Sequence, residues 1–347
     1  MEKENNFSAI HLGAALLVVL GHQYVLMGSS VPLIFGVDIN GFGVRIIFVM
    51  SGYLITESYM RSKSAGQYMG KRLMRIYPPL AACIFLTVVV IGPIFTRCGL
   101  KEYFTGSIDY AVRNIAMYPV FSLPGVFQDN VNQTAVNGSL WTLPVEMMCY
   151  ILLIGFMKIY DILSKKSQAA AKIFYASVGI VLWIIYVLRI TGVLQHSLVF
   201  WGTDWCSAIG VAVYFLWGSI FSRLGLKNIC NLQTAVFWGM ICGCVDGPLR
   251  AVLLLPFVTY ITIAFAFADK PIFSKLMKNN YSYGIYLWAF PIQQSVIQVI
   301  MIRGGQYYSP LVMFLISMVF IWMAACLSNV LIEKPLLKLS RRGRDSR

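Results

Sequence analysis

The sequence predicts an all-α polytopic membrane protein, a bundle of about ten transmembrane helices with cytoplasmic N- and C-termini. Three observations carry this expectation. Of the 347 residues, 58% are hydrophobic and only 12% are charged, with a mean hydropathy of +0.71; a soluble chain of this length needs more charge to cover its surface. Apolar runs of about 20 residues, the length that crosses a ~30 Å hydrocarbon layer, recur along the chain. Basic residues gather in alternate connecting segments.

In order, the runs are 8–28, 42–60, 79–97, 141–160, 173–192, 205–222, 232–246, 248–268, 282–302 and 309–332. The seventh is short and abuts the eighth through "DGP". With the N-terminus inside, cytoplasmic segments hold 21 of the 28 Lys and Arg, and outer segments hold Arg97, Lys101, Arg113, Arg189, Arg250 and Arg303. That bias favours both termini inside and an even number of crossings. The net charge of +14 is therefore read as topology and contact with membrane lipid headgroups, and no nucleic-acid partner is expected.

Eight cysteines lie mostly inside apolar runs, with no CxxC and no zinc-ligand spacing, so no metal is expected. The opening "MEKENNFSAIHLGAALLVVLGH" lacks a small-residue cleavage site and is read as an uncleaved first helix. The semi-apolar loop 98–140 is expected to re-enter the bundle or lie on it. Its "NQT" (132–134) and "NGS" (137–139) match a glycosylation acceptor pattern that arises by chance in Asn-rich loops. No internal repeat is read. The expected organisation is one domain over 1–340 and a basic cytoplasmic tail over 341–347.

With the other Lys and Arg assigned to the connecting segments and run ends, Arg45 is left as the one within a span. Ionisable groups in spans face the bundle interior and mark function, and His11, His22, Arg45 and Glu146 qualify. Measured at 1.5 Å per residue from the outer helix ends, His22 lies ~9 Å, Arg45 ~5 Å and Glu146 ~8 Å deep. The three are thus expected in one layer, either as an Arg45–Glu146 ion pair that locks two helices or as a reaction chamber with His22 as general base. His11 lies nearly three helical turns from His22, on nearly the same face and roughly 16 Å deeper. Arg72 and Arg75, at i and i+3 on a helix read as ending at Pro78, could fork a phosphate or serve as ordinary positive-inside charge. Glu57 and Glu333 read as structural.

Five stretches in order resemble the acyltransferase-3 family: "AALLVVLGH" (14–22), "GFGVRIIFVMSGYLI" (41–55), "KRLMRIYPPL" (71–80), "GSLWTLPVEMMCYIL" (138–152) and "NNYSYGIYLWAFPI" (279–292). The resemblance runs nearly end to end and departs at two places. Ser8 and His11 stand where members commonly have an aspartate and an arginine, and Ala289 stands where a histidine is usual.

The resemblance implies an O-acyltransferase of the bacterial cytoplasmic membrane. It would take an acyl group, most often acetyl, from cytoplasmic acyl-coenzyme A to a hydroxyl of a glycan or lipid-linked glycan at the outer face. On that reading His22, Arg45 and Glu146 are catalytic, with Glu146 orienting the histidine or holding Arg45. Arg72 and Arg75 hold the acetyl-CoA phosphates, with His11 and Tyr53 on the donor path. Trp141, Tyr283, Tyr286 and Trp288 could stack on pantetheine or sugar. The rival class is a membrane transporter using the same His, Arg and Glu as a relay, and a third reading is an inactive relative serving as an assembly subunit. Nothing in the sequence signals an oligomeric state.

Overall fold

The structure, a computed structural model, describes residues 6–133, 135–194, 198–268 and 281–335. The expected tail 341–347, the basic segment 269–280, Lys3 and the sequon residue Thr134 lie outside the described residues. Among those described, nine helices are long and apolar enough to span a membrane. They comprise α1 (Phe7–Leu26), α2 (Ile39–Met60), α3 (Ala65–Leu86) continued through a widened turn into α4 (Gly92–Phe95), α6 (Thr142–Lys166), α7 (Gln168–Ile190), α8 (Trp205–Arg223), α10 (Gly247–Ala266), α11 (Ser282–Ile297) and α12 (Pro310–Ser328). An amphipathic α5 (Leu100–Ile115) lies between α4 and α6.

Two expectations change. The run at 232–246 forms only a 13-residue helix, α9 (Leu232–Cys244). At 1.5 Å per residue it covers ~20 Å, short of the hydrocarbon core, so an even count of crossings is reached only by including it. The second change is at Pro78 and Pro79, which lie inside α3 instead of ending it. Prolines are tolerated in spanning helices because neighbouring elements satisfy the freed backbone groups. The continuous helix places Arg72 and Arg75 on the element that enters the bundle.

α2 and α8 are the most buried spans, 67% of each window, and they cross at backbone contact. A methyl group added at Gly52 of α2 would overlap the carbonyl oxygen of Phe215, and one added at Gly218 of α8 would overlap that of Val49. Small residues permit such close approach, which dispersion then stabilises in lipid. The contact is reciprocal, because Val49 and Gly52 lie 166 residues before Phe215 and Gly218.

The same spacing relates the elements that lead into these helices. "LIFGVD" (33–38) folds as the hairpin β1 (Leu33–Ile34) and β2 (Val37–Asp38), and "VFWGTD" (199–204) as β3 (Val199–Phe200) and β4 (Thr203–Asp204), in equivalent register. Phe35 and Gly36 both take positive φ, as do Trp201 and Gly202, the backbone that a two-residue hairpin turn requires. The structure thus contains a repeated hairpin–helix unit where no repeat was expected. Few identities mark it: Gly36, Asp38 and Gly52 recur as Gly202, Asp204 and Gly218.

The segment before α6 folds into the bundle. Asn130 donates to Gln294 Oε1 at 2.7 Å, Asn137 to the Leu287 carbonyl at 3.1 Å, and Tyr286 OH to the Ser139 carbonyl. Asn137 is 1% exposed, so the "NGS" sequon cannot carry a glycan in this fold. A short 3₁₀ turn, Gly138–Trp141, delivers the chain to α6 with Ser139 and Leu140 already buried.

Gly52→Ala is expected to destabilise the protein by about 3 kcal/mol, because two backbones must part. Gly155→Ala on α6, where the added methyl meets nothing within 4 Å, should be neutral or stabilise by up to about 1 kcal/mol. Thermal unfolding of both variants in detergent checks the contrast.

Candidate active site

Two chambers are stacked along α2. The first, the hairpin chamber, is lined by His22 of α1, Asn40, Gly41, Val44 and Arg45 of α2, Trp141, Tyr186 and Arg189 of α7, and Cys206, Ser207 and Gly210 of α8. The second, the arginine-pair chamber, is lined by His11 of α1, Val44, Phe48 and Ser51 of α2, Arg72 and Arg75 of α3, Thr142, Glu146 and Tyr150 of α6, and Ser282, Tyr283 and Tyr286 of α11. Val44 lines both. α1, α2 and the entry to α6 each contribute to the two chambers in the same order along the bundle.

His22 keeps its place in the hairpin chamber by an edge-to-face contact with Phe290, centroids 5.3 Å apart. Arg45 sits against the Tyr214 ring, its guanidinium carbon 5.6 Å from the centroid, a cation–π arrangement that stabilises a charge out of water. Its Nε is buried with no hydrogen-bond partner, as is Asn40 Oδ1. Among the described residues, no Asp or Glu lines this chamber.

Glu146 is in the other chamber. It accepts hydrogen bonds from Tyr150 OH and from Ser51 Oγ, the latter at 3.4 Å. Ser51 lies six residues beyond Arg45 on α2, or ~9 Å along the helix. The expected single layer of His22, Arg45 and Glu146 therefore divides: His22 and Arg45 stay together, while Glu146 joins His11, Arg72 and Arg75. Glu146 lies deeper than the run boundary implies because the inward-folded loop starts α6 inside the bundle. Ionic locking of α2 to α6 by Arg45 and Glu146 is not what the structure shows.

The other predicted residues also separate. Arg72 Nη2 donates to Ser58 Oγ at 3.2 Å, which holds its head at the chamber, and its Nε is buried without a partner. Tyr283 OH donates to the Ile76 carbonyl at 3.0 Å and Tyr286 pairs with Thr142 Oγ1 at 2.5 Å, so both line the arginine-pair chamber with fixed rings. Trp141 lines the hairpin chamber instead. Tyr53 does not line either; it packs on Phe7 and Phe267 at 5.7 and 5.5 Å. Trp288, 6% exposed, is likewise core and not chamber wall. Ala289 packs in an apolar cluster with Ala15, Val19, Ile321 and Ala325.

Sequence reasoning passed over Ser51, Thr142, Tyr150 and Ser282 in one chamber and Asn40, Tyr186, Arg189, Cys206 and Ser207 in the other. Tyr150 was within reach, because it follows Glu146 at the i+4 helical spacing. Arg189 reads as loop charge in the sequence, and only the packing of α7 on α8 brings it to the chamber.

Residues 10–330 match the acyltransferase-3 family, described as "Acyltransferase domain". The chain belongs to that family. It is 30% identical to an "O-acetyl transferase" of Shigella phage Sf6 over 98% of each chain. It is 27% identical to "Nodulation protein 10" of Rhizobium leguminosarum bv. viciae over 96% of this chain and 94% of that one. A "Peptidoglycan O-acetyltransferase OatA" of Listeria monocytogenes is 24% identical, and the match spans 72% of this chain but 44% of that protein. No solved structure matches the chain. The family is thus one of acyltransferases, including O-acetyltransferases, here on a multi-pass membrane scaffold.

Because Arg45 and Glu146 share no partner and lie in different chambers, the effects of Arg45→Gln and Glu146→Gln on acyl-transfer kcat/KM should add within about 0.5 kcal/mol. Glu146→Gln and Tyr150→Phe remove one hydrogen-bonded pair and should fall short of additivity by about 1 kcal/mol or more. A double-mutant cycle on transfer rate reads both.

Proposed function

We propose that the protein moves an acyl group, most simply acetyl, from acyl-coenzyme A bound on the cytoplasmic side to a hydroxyl of a glycan at the outer face of the bacterial cytoplasmic membrane, with both chain ends inside. The observation that carries this reading is the pair of stacked chambers with only Val44 in common. One is basic and on the side of His11; the other holds a histidine and a half-buried cation.

The donor's pyrophosphate would sit at Arg72 and Arg75, whose guanidiniums form charge-assisted bonds to phosphate oxygens. Its pantetheine arm would run along α2 past Val44 and bring the thioester to His22. There the acceptor oxygen attacks the thioester carbonyl carbon while His22 takes the hydroxyl proton. Negative charge grows on the carbonyl oxygen, and the half-buried Arg45 faces it among apolar helices, where a fixed cation is worth several kcal/mol. The carbon–sulfur bond then breaks, and the coenzyme A thiolate leaves with the proton returned by His22. A route through an acyl-His22 intermediate uses the same residues and differs in giving ping-pong kinetics.

Glu146 takes a different part from the one the sequence suggested. Held by Ser51 and Tyr150 among His11, Arg72 and Arg75, it would orient the two arginines and not the catalytic histidine. The carrier alternative rests on a relay of His22, Arg45 and Glu146, and the division of these three between the chambers does not favour it. Family membership weighs on the side of group transfer.

In liposomes with acetyl-coenzyme A and glycan lipid from the host, the wild type should yield glycan heavier by one acetyl group. His22→Ala should lower that yield by about a thousandfold, while Arg72→Gln with Arg75→Gln should raise the donor KM about a hundredfold. Mass spectrometry of the glycan and steady-state kinetics check these outcomes. Transfer that persists in His22→Ala would move the base elsewhere.

A further inference from the structure

α2 and α8 present the same four positions to the hairpin chamber. From α2 these are Asn40, Gly41, Val44 and Arg45; from α8, 166 residues later, they are Cys206, Ser207, Gly210 and Val211. The reciprocal glycine contacts lie two helical turns further along the same two helices. The chamber is therefore flanked by two copies of one hairpin–helix unit, each facing it with equivalent positions.

The copies differ in what they place there. The α2 side is charged and filled: a methyl group added at Gly41 would meet Arg45 Nη1 at 3.2 Å. On the α8 side Val211 replaces Arg45, Gly210 replaces Val44, and a methyl group at Gly210 meets nothing within 4 Å. One wall carries the reactive groups and the other leaves open space. α7 adds Tyr186 and Arg189 beside that space, and Trp141 borders the same chamber.

Resting on the acyl-transfer reading, we infer that the α8 copy forms the acceptor subsite, a space at Gly210 that takes the sugar ring bearing the reacting hydroxyl. A sugar ring has apolar C–H faces and a polar rim. Aromatic side chains suit the faces and a guanidinium suits the rim oxygens, so Tyr186, Trp141 and Arg189 supply both kinds of contact around the gap. The opposite wall then holds His22 and Arg45 against the hydroxyl and the thioester. The first copy of the unit supplies Arg45 beside His22 of α1 and the second opens the acceptor space, which accounts for the divergence of their chamber-facing residues while the glycines at the crossing were kept.

Filling the gap tests this. Gly210→Leu should raise the acceptor KM about tenfold and leave the donor KM within about twofold, with Gly210→Ala intermediate. An unchanged acceptor KM, or a donor KM that rises in proportion, overturns the inference. A measurement on the unmodified protein stands apart from any folding defect. Alkylation of Cys206 by a thiol reagent, followed by peptide mass spectrometry, should be slowed by the acceptor glycan and not by acetyl-coenzyme A. Protection by acetyl-coenzyme A alone would place the donor at α8, and protection by neither would leave no ligand there; either overturns the subsite. An enzyme that transfers acetyl in a His22-dependent way but ignores the Gly210 substitutions fails this inference alone. Absence of any transfer fails the reading beneath it.

Discussion

The crossing of α2 and α8 is the constraint on which the rest depends. In lipid, apolar side chains gain little by leaving the solvent, so helices are held by close packing and by internal hydrogen bonds. Gly52 and Gly218 bring the two backbones together at one point. Above that point toward the hairpins the helices bound a chamber, and each enters the bundle through a tight hairpin that fixes its rotation about its own axis. Because Arg45 lies less than two turns from the crossing, its position is set by backbone contact and not by a partner charge.

That geometry explains how a guanidinium is held among apolar helices with no carboxylate among the described residues of its chamber. Its charge is met by the face of the Tyr214 ring, and its Nε remains unpaired. Leaving a donor unpaired in a buried site is costly, and such a cost is sustained where the group meets a ligand or a developing charge. The same holds for Arg72 Nε and Asn40 Oδ1, one in each chamber or beside it. Arg72 lines the chamber assigned to the donor phosphates, and Arg45 and Asn40 line the one assigned to the oxyanion.

The buried segment before α6 is the second organising element. Its hydrogen bonds to α11, through Asn130, Asn137 and Ser139, tie a connecting loop to a spanning helix. A loop can enter an apolar bundle only if its backbone and side-chain polar groups find such partners. By starting α6 inside the bundle, this segment lowers Glu146 by about two turns relative to Arg45 and turns one polar layer into two chambers.

Much of the architecture follows from the sequence alone. Apolar runs of membrane-spanning length and the distribution of Lys and Arg determine a multi-pass helical bundle, because those signals are local and the bilayer imposes them on every span. Ordered motifs around His22, Arg45, Arg72, Glu146 and Tyr283 determine the family. Which polar residues meet was decided only by the tertiary structure, since depth along a helix depends on where that helix begins, and an inward-folded loop gives no hydropathy signal. The repeat was hidden for a related reason. Its copies keep glycine at the turns and the crossing, where backbone geometry demands it, and differ at the chamber wall, where no backbone contact constrains them.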